Sequence, residues 1–192
     1  MKVVAFSGSA RKDGNTAILV RRTLSTLREA GVETEFLQLA GKRVHGCTVC
    51  LKCADVMDGS CPGVSDFISE ECIPRAIEAD GIIIASPVYF SDVTTETKAL
   101  IDRLGYASRK GRNRLARKVG AGIVAVRRAG ALHALDTINH LFLATEMVVV
   151  GSSYWNLGIG REIGQVEEDH EGLKTMETLG CNMAWALERL KG

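Results

Sequence analysis

Phe6-Ser7-Gly8-Ser9-Ala10-Arg11-Lys12-Asp13-Gly14-Asn15-Thr16 joins an apolar run to a helical pattern through a loop with the chemistry of a phosphate cradle. Upstream, Val3, Val4, Ala5 and Phe6 are continuously apolar, as expected for a parallel strand buried on both faces. Downstream, Ala17, Val20, Leu24 and Leu27 recur at helical spacing, and Gly31 supplies a stop. Between them stand small or hydrogen-bonding residues, with Arg11 adding a planar donor fork. A helix N-terminus facing the carboxyl end of a strand gathers free N–H groups and suits an anion. A surface loop with no ligand is the plainer reading, and the strand-loop-helix context weighs against it.

The residues narrow the choice of anion. Asn15 follows Gly14, so the lysine that reaches the outer phosphates of a nucleoside triphosphate is missing, and the later strand at 81–86 ends in Ser-Pro rather than a metal-binding Asp. No G-x-G-x-x-G dinucleotide fingerprint is present here. Ser7, Ser9, Arg11, Asn15 and Thr16 instead suit a single terminal phosphate.

Further strands are expected at 33–39, 81–86, 118–126 and 147–150. Helices are expected at 64–79, kinked near Pro74, and at 95–108 and 132–145. In the second strand the alternation slips at Phe36-Leu37. A last amphipathic helix carries Leu173, Met176, Leu179, Met183, Leu187 and Leu190. Strands alternating with helices give an α/β fold with a parallel sheet covered on both faces. Five strands in this length fit a flavodoxin-like three-layer arrangement in the order 2-1-3-4-5, read as one domain over 1–192 with a cysteine-rich insertion at 41–63. In that order ligands bind at the carboxyl ends where strands 1 and 3 part. The 7–16 loop then meets the 86–95 loop, which carries Pro87, Val88, Tyr89 and Phe90. A phosphate cradle beside paired aromatics suits a phosphorylated planar ring, and FMN is the candidate.

The 192 residues are 46% apolar with a formal net charge of +1, enough for a sizeable core and against a dedicated nucleic-acid binder. The first strand starts without a leader-like segment, and no apolar run reaches membrane-spanning length, so a soluble, cytoplasmic protein is expected. Six cysteines there are more readily thiolates or core residues than disulfides. Cys47, Cys50 and Cys53 follow the pattern C-x2-C-x2-C, and Cys61 comes after seven more residues with Pro62 behind it. Two-residue spacers curl the backbone around successive thiolates, as ligation of a [4Fe-4S] cluster requires. Zinc takes four thiolates too, usually from two separated pairs, and redox-labile thiols without metal remain a third reading. Cys72 and Cys181 lack ligand spacing and read as small buried residues. Arg109, Lys110, Arg112, Arg114, Arg117 and Lys118 read as a solvated turn in preference to a site for the extra phosphate of NADPH or for an acidic partner. His133, His140 and His170 have no nucleophile beside them in any recognisable pattern, and His45 is at best a neighbour of the cysteines.

Ser-Gly-Ser-Ala-Arg-Lys-Asp-Gly-Asn-Thr at 7–16, Ser-Pro-Val-Tyr-Phe at 86–90 with Lys98 and Asp102-Arg103 after it, Arg127-Arg128-Ala129-Gly130 and Tyr154-Trp155-Asn156 together resemble the flavodoxin-like NAD(P)H-dependent FMN reductase family. The resemblance spans almost the whole chain, and the cysteines make it most similar to the iron-sulfur flavoprotein branch. It implies that Ser9, Arg11, Asn15 and Thr16 hold the FMN phosphate and that Pro87, Val88, Tyr89 and Phe90 flank the isoalloxazine. Arg127, Arg128 and Gly130 would close its far edge. Ala129 departs from the pattern, since relatives commonly carry a second glycine there. The resemblance also implies a symmetric homodimer or homotetramer in which the cluster of one subunit lies near the flavin of another.

The expected function is that of an FMN-binding iron-sulfur flavoprotein in electron transfer or NAD(P)H-dependent oxidoreduction. Its donor would be NAD(P)H or a ferredoxin-like protein, and its acceptor a small molecule or a protein. A cluster-free NAD(P)H:FMN or quinone reductase is the alternative, with a zinc-stapled interaction module behind it. The flavin would carry the chemistry, so no catalytic side chain is expected.

Overall fold

A computed structural model describes residues 1–191. β1 (Lys2–Ser7) lies in the middle of a parallel sheet between β2 (Glu33–Gln38) and β3 (Gly81–Pro87), followed by β4 (Val119–Val126) and β5 (Val148–Val149), giving the order 2-1-3-4-5. The register Val3↔Gly81 brings Ser7 level with Ala85, so the loops after β1 and β3 leave the sheet side by side.

Helices cover both faces because both faces of each central strand are apolar. α1 (Asn15–Glu29) and α6 (His170–Lys191) pack on one side against Val3, Ala5, Ile83, Ala121 and Ile123. α3 (Ile73–Glu78), α4 (Thr95–Ser108) and α5 (Ala131–Ala144) pack on the other against Val4, Phe6, Ile82, Ile84 and Val124. Ile82, Ile83 and Ile84 are fully buried, each stabilising the fold by about 1.5–3 kcal/mol relative to exposure. The slip at Phe36-Leu37 has the same cause: Phe36 packs with the α1/α6 cluster and Leu37 with the opposite one, so adjacent apolar residues both find a core.

Several expectations need correction. The strand expected at 147–150 is only part of the edge: β5 pairs with the start of β4 and Val150 N–H still donates to the Gly120 carbonyl, residues 151–155 leave the sheet, and β6 (Leu157–Ile159) resumes pairing through Val124↔Leu157. Gly158 permits this return, since a Cβ there would lie 2.6 Å from Leu19 Cδ2. The helix expected from residue 64 begins instead with a π turn (Ile68–Cys72) that runs directly into α3, so Pro74 follows a change of hydrogen-bond register within one continuous helical run. A short helix, α2 (Lys52–Val56), lies within the cysteine loop. Cys72 is buried as expected, but Cys181 is exposed on the outer side of α6. In the basic turn, Lys118 is half-buried and donates to the carbonyls of Ile77 and Ala79, so it braces the turn before β3.

Candidate functional site

The β1 loop is locked to the β3 loop through Gly8. Its N–H donates to the Ala85 carbonyl at 2.9 Å, and its carbonyl accepts from the Thr94 hydroxyl at 2.8 Å. Thr94 also caps α4, accepting from the Thr97 N–H at 3.2 Å, and the two threonine hydroxyls stand 2.9 Å apart. A Cβ on Gly8 would lie 1.9 Å from Thr97 Oγ1, so only glycine lets the two loops close.

Within the cradle, Ser7 is fully buried and its hydroxyl accepts from the Ser9 N–H. Ser9 Oγ exchanges hydrogen bonds with the Arg11 backbone. Gly14 opens α1 without any side-chain cap; the Ala17 N–H turns back to the Gly14 carbonyl, and the N–H groups of Asn15 and Thr16 are left to an outside acceptor. Thr16 is buried beside that opening. Asn15 stands in the same first turn, yet its side chain is committed elsewhere: Nδ2 donates to the carbonyls of Gly160 and Glu162, both at 2.9 Å, and Oδ1 accepts from Val166 N. Arg11 is exposed and reaches across the loop to the Arg161 carbonyl at 3.3 Å. The 158–166 segment is therefore a third wall of the cradle, which sequence reading missed. Its one legible signal is Gly-Ile-Gly at 158–160, since a Cβ on Gly160 would crowd Asn15 Nδ2 at 2.8 Å. Gln38, level with Ser7, holds the one buried side-chain atom without a hydrogen-bond partner among the described residues, its Oε1. A ligand hydroxyl or N–H would satisfy it.

The aromatic loop is a tight reversal. Tyr89 N–H donates to Asp92 O at 2.8 Å and Asp92 N–H to Tyr89 O at 3.1 Å, with Phe90 and Ser91 between them at φ +46° and +68°. Such a turn normally takes Asn or Gly at both central positions, so the backbone here is strained. The strain carries Phe90 fully into solvent and leaves Tyr89 half-exposed. Pro87 belongs to β3, paired with Ala125, whereas Val88 turns towards the core. Gly130, at φ +88°, backs this turn: its Cβ would lie 2.9 Å from Ser91 Cα. Arg127 and Arg128 are exposed at the same rim.

The four loop cysteines line one small, mainly apolar cavity of about 20 Å3, together with Arg103 and Tyr106 of α4. The packing is tight, for a Cβ on Gly63 would lie 2.1 Å from Cys50 Sγ. The backbone N–H of Lys52 and then the Thr48 side chain hold the Cys50 thiol below its usual range, favouring thiolate. Burial pushes Cys53 up. Outside the cavity, burial pushes Cys72 to about 12, so that thiol stays protonated at neutral pH. Val49 and Leu51 flank Cys50 in left-handed conformations at φ +53° and +60°. Among the described residues no three His, Cys, Asp or Glu side chains are placed to hold a single metal ion. Four cysteines lining one space are a donor set that zinc and an iron-sulfur cluster both accept.

The loop hangs on a buried ion pair that sequence reading did not find. Arg103 and Asp66 meet at 2.6 Å with both side chains fully buried. Burial alone would raise the Asp66 carboxyl, but the Arg103 guanidinium and the N–H groups of Ser69 and His45 hold it below the usual range. A depression of about 710 Å3, lined by Arg112, Arg114, Arg117 and Lys118, opens at the amino-terminal ends of β3 and β4, away from the cradle, and Ile77 and Arg114 on its wall back Gly59 of the cysteine loop.

The profile of the NADPH-dependent FMN reductase family matches residues 1–162. An iron-sulfur flavoprotein of Methanocaldococcus jannaschii is 38% identical over the full length of both chains, and one of Methanosarcina thermophila is 31% identical over 100% of this chain and 97% of its own. Among solved structures, RosB with bound 8-demethyl-8-formylriboflavin-5′-phosphate superposes with a TM-score of 0.78 at 16% identity, covering 100% of this chain and 80% of that one. A flavodoxin from the domain Archaea gives 0.63 at 16% identity over the whole of both chains. The chain belongs to the NADPH-dependent FMN reductase family, in its iron-sulfur flavoprotein branch.

Proposed function

We propose that this protein binds FMN and a [4Fe-4S] cluster and passes electrons between a reduced donor and an acceptor. The observation that carries it is the joining of the β1 and β3 loops through Gly8, Ala85 and Thr94, which sets the loop that leads into an uncapped helix N-terminus beside the one that carries an exposed aromatic turn. FMN bound there would supply hydride and single-electron chemistry. The phosphate would meet the first-turn N–H groups of α1 with Ser9, Arg11 and Thr16. Ser7 acts by shaping the loop, and Asn15 acts through its backbone, its amide holding the 160–166 wall. Pro87, Val88, Tyr89 and Phe90 would border the ring on one side, and Arg127, Arg128 and Gly130 on the other.

Cys47, Cys50, Cys53 and Cys61 would ligate the cluster. Cys53 and Cys61 reach the cavity from the packed side, and Cys50 is already biased towards thiolate. NAD(P)H or a ferredoxin-like protein would be the donor, and a small molecule or protein the acceptor, in the cytoplasm. Among the described residues no helix is long and apolar enough to cross a membrane.

An anaerobic absorption spectrum with flavin and iron analysis tests this reading. Flavin bands with broad iron-sulfur absorption are expected, with bleaching of the flavin on adding NAD(P)H if the nicotinamide is the donor. Cys61→Ala should strip the iron and Cys72→Ala should leave it. A colourless protein, or equal iron loss from both variants, overturns the assignment.

A further inference from the structure

Arg103 is the largest fully buried side chain among the described residues, and a buried guanidinium has to be matched donor by donor. It projects from α4, yet every partner lies in the segment around the cysteines. Nη1 donates to the Asp66 carboxylate at 2.6 Å and to the His45 carbonyl at 3.1 Å, and Nη2 to the Val64 carbonyl at 3.0 Å. Those contacts neutralise the charge and pin both ends of the loop. Of the two donors left, Nε–H points at Cys61 Sγ, 3.4 Å away. Arg103 is also the only arginine lining the cavity that the four thiols share, among the described residues.

We infer that Arg103 is a positioning residue for the iron-sulfur site, which it holds in shape and whose potential it raises through an N–H···S hydrogen bond to Cys61. The inference rests on the reading of the cysteine quartet as cluster ligands. Reduction places negative charge on the cluster and its cysteinyl sulfurs, so a charged donor on one sulfur favours the reduced form. The guanidinium suits this task because its rigid fork lets two nitrogens satisfy Asp66 and the carbonyls while the third faces the sulfur. A lysine could pair with Asp66 but could not fill all those positions at once.

The test is an EPR-monitored redox titration of the reconstituted holoprotein and its Arg103→Lys variant. The variant keeps the charge and should retain FMN and iron. Its cluster potential should fall by about a tenfold change in the oxidised-to-reduced ratio, or about 59 mV for one electron, with the flavin potential unmoved. A purely structural role would leave the potential of the iron-loaded variant unchanged, and that result overturns the inference. Wild-type protein labelled with 15N-arginine gives a reading independent of any variant. Pulsed EPR of its reduced cluster should detect a 15N coupling, and no coupling overturns the inference even if Arg103→Lys does not fold. A wild type that takes up no iron removes the cluster reading and this inference with it, whereas an iron-loaded wild type without arginine coupling removes this inference alone.

Discussion

Gly8 is the residue at which one methyl group would disturb most. The Cβ of Gly8→Ala would stand 1.9 Å from Thr97 Oγ1 and 2.8 Å from Thr94 Oγ1, both on short branched side chains with little room to turn. Pushing the β1 loop away from α4 should cost about 1–3 kcal/mol and weaken FMN binding at least tenfold, read by thermal unfolding and by quenching of flavin fluorescence. Asp66 governs the other site. Its depressed carboxyl stabilises the fold above its unfolded pKa of about 3.9, and that contribution is lost as pH falls through the lower folded value. Asp66→Asn leaves Arg103 buried without its counter-charge and should cost about 3–5 kcal/mol at pH 7. In urea unfolding of the apoprotein the gap between wild type and variant should narrow below about pH 4. A gap independent of pH would mean that the pair does not carry the effect.

Among the elements, α4 ties the two sites together. Its N-cap Thr94 holds Gly8 of the cradle, and Arg103, nine positions on and so about 13 Å along the axis, holds Cys61. The turn that precedes it stores strain, since left-handed backbone costs a residue with a side chain about 1–2 kcal/mol. Ser91→Gly should relieve part of this and raise stability by about 0.5–1 kcal/mol after the entropy cost of glycine, with flavin affinity unchanged. Phe90→Gly should give similar relief but lower flavin affinity about two- to tenfold, because it removes the exposed ring from the crevice. Urea midpoints and flavin titrations of the two variants separate these effects. Equal affinity in both would remove Phe90 from the binding surface.

At the scale of the molecule, each of the two sites carries exposed apolar residues. Val49, Leu51, Val56 and Met57 of the cysteine loop and Phe90 of the aromatic turn face solvent. Isolated exposed apolar residues are ordinary, but four within nine residues of the cysteine loop suit a contact between copies. A dimer or tetramer burying the 47–61 loop and the turn at Tyr89 is expected by light scattering, with Val49→Asp shifting it towards monomer. A stable wild-type monomer with both cofactors and full electron transfer would exclude that assembly.

The amino-acid order alone determined the layered α/β architecture. Runs such as 81–86 are apolar on both faces, and only helices on both sides of a parallel sheet can cover them. It also singled out the cradle and the cysteine quartet as candidate sites, because those signals lie in residue type and close spacing. Orientation and distant pairing were decided by the tertiary structure. Asn15 is a plausible phosphate ligand by type, but a wall more than 140 residues away claims its amide. The interrupted fifth strand depends on where α1 leaves room for Gly158. Asp66 and Arg103, 37 residues apart on different elements, carry no local pattern that predicts their pairing. A buried charge pair is visible only once the fold has excluded water from both partners.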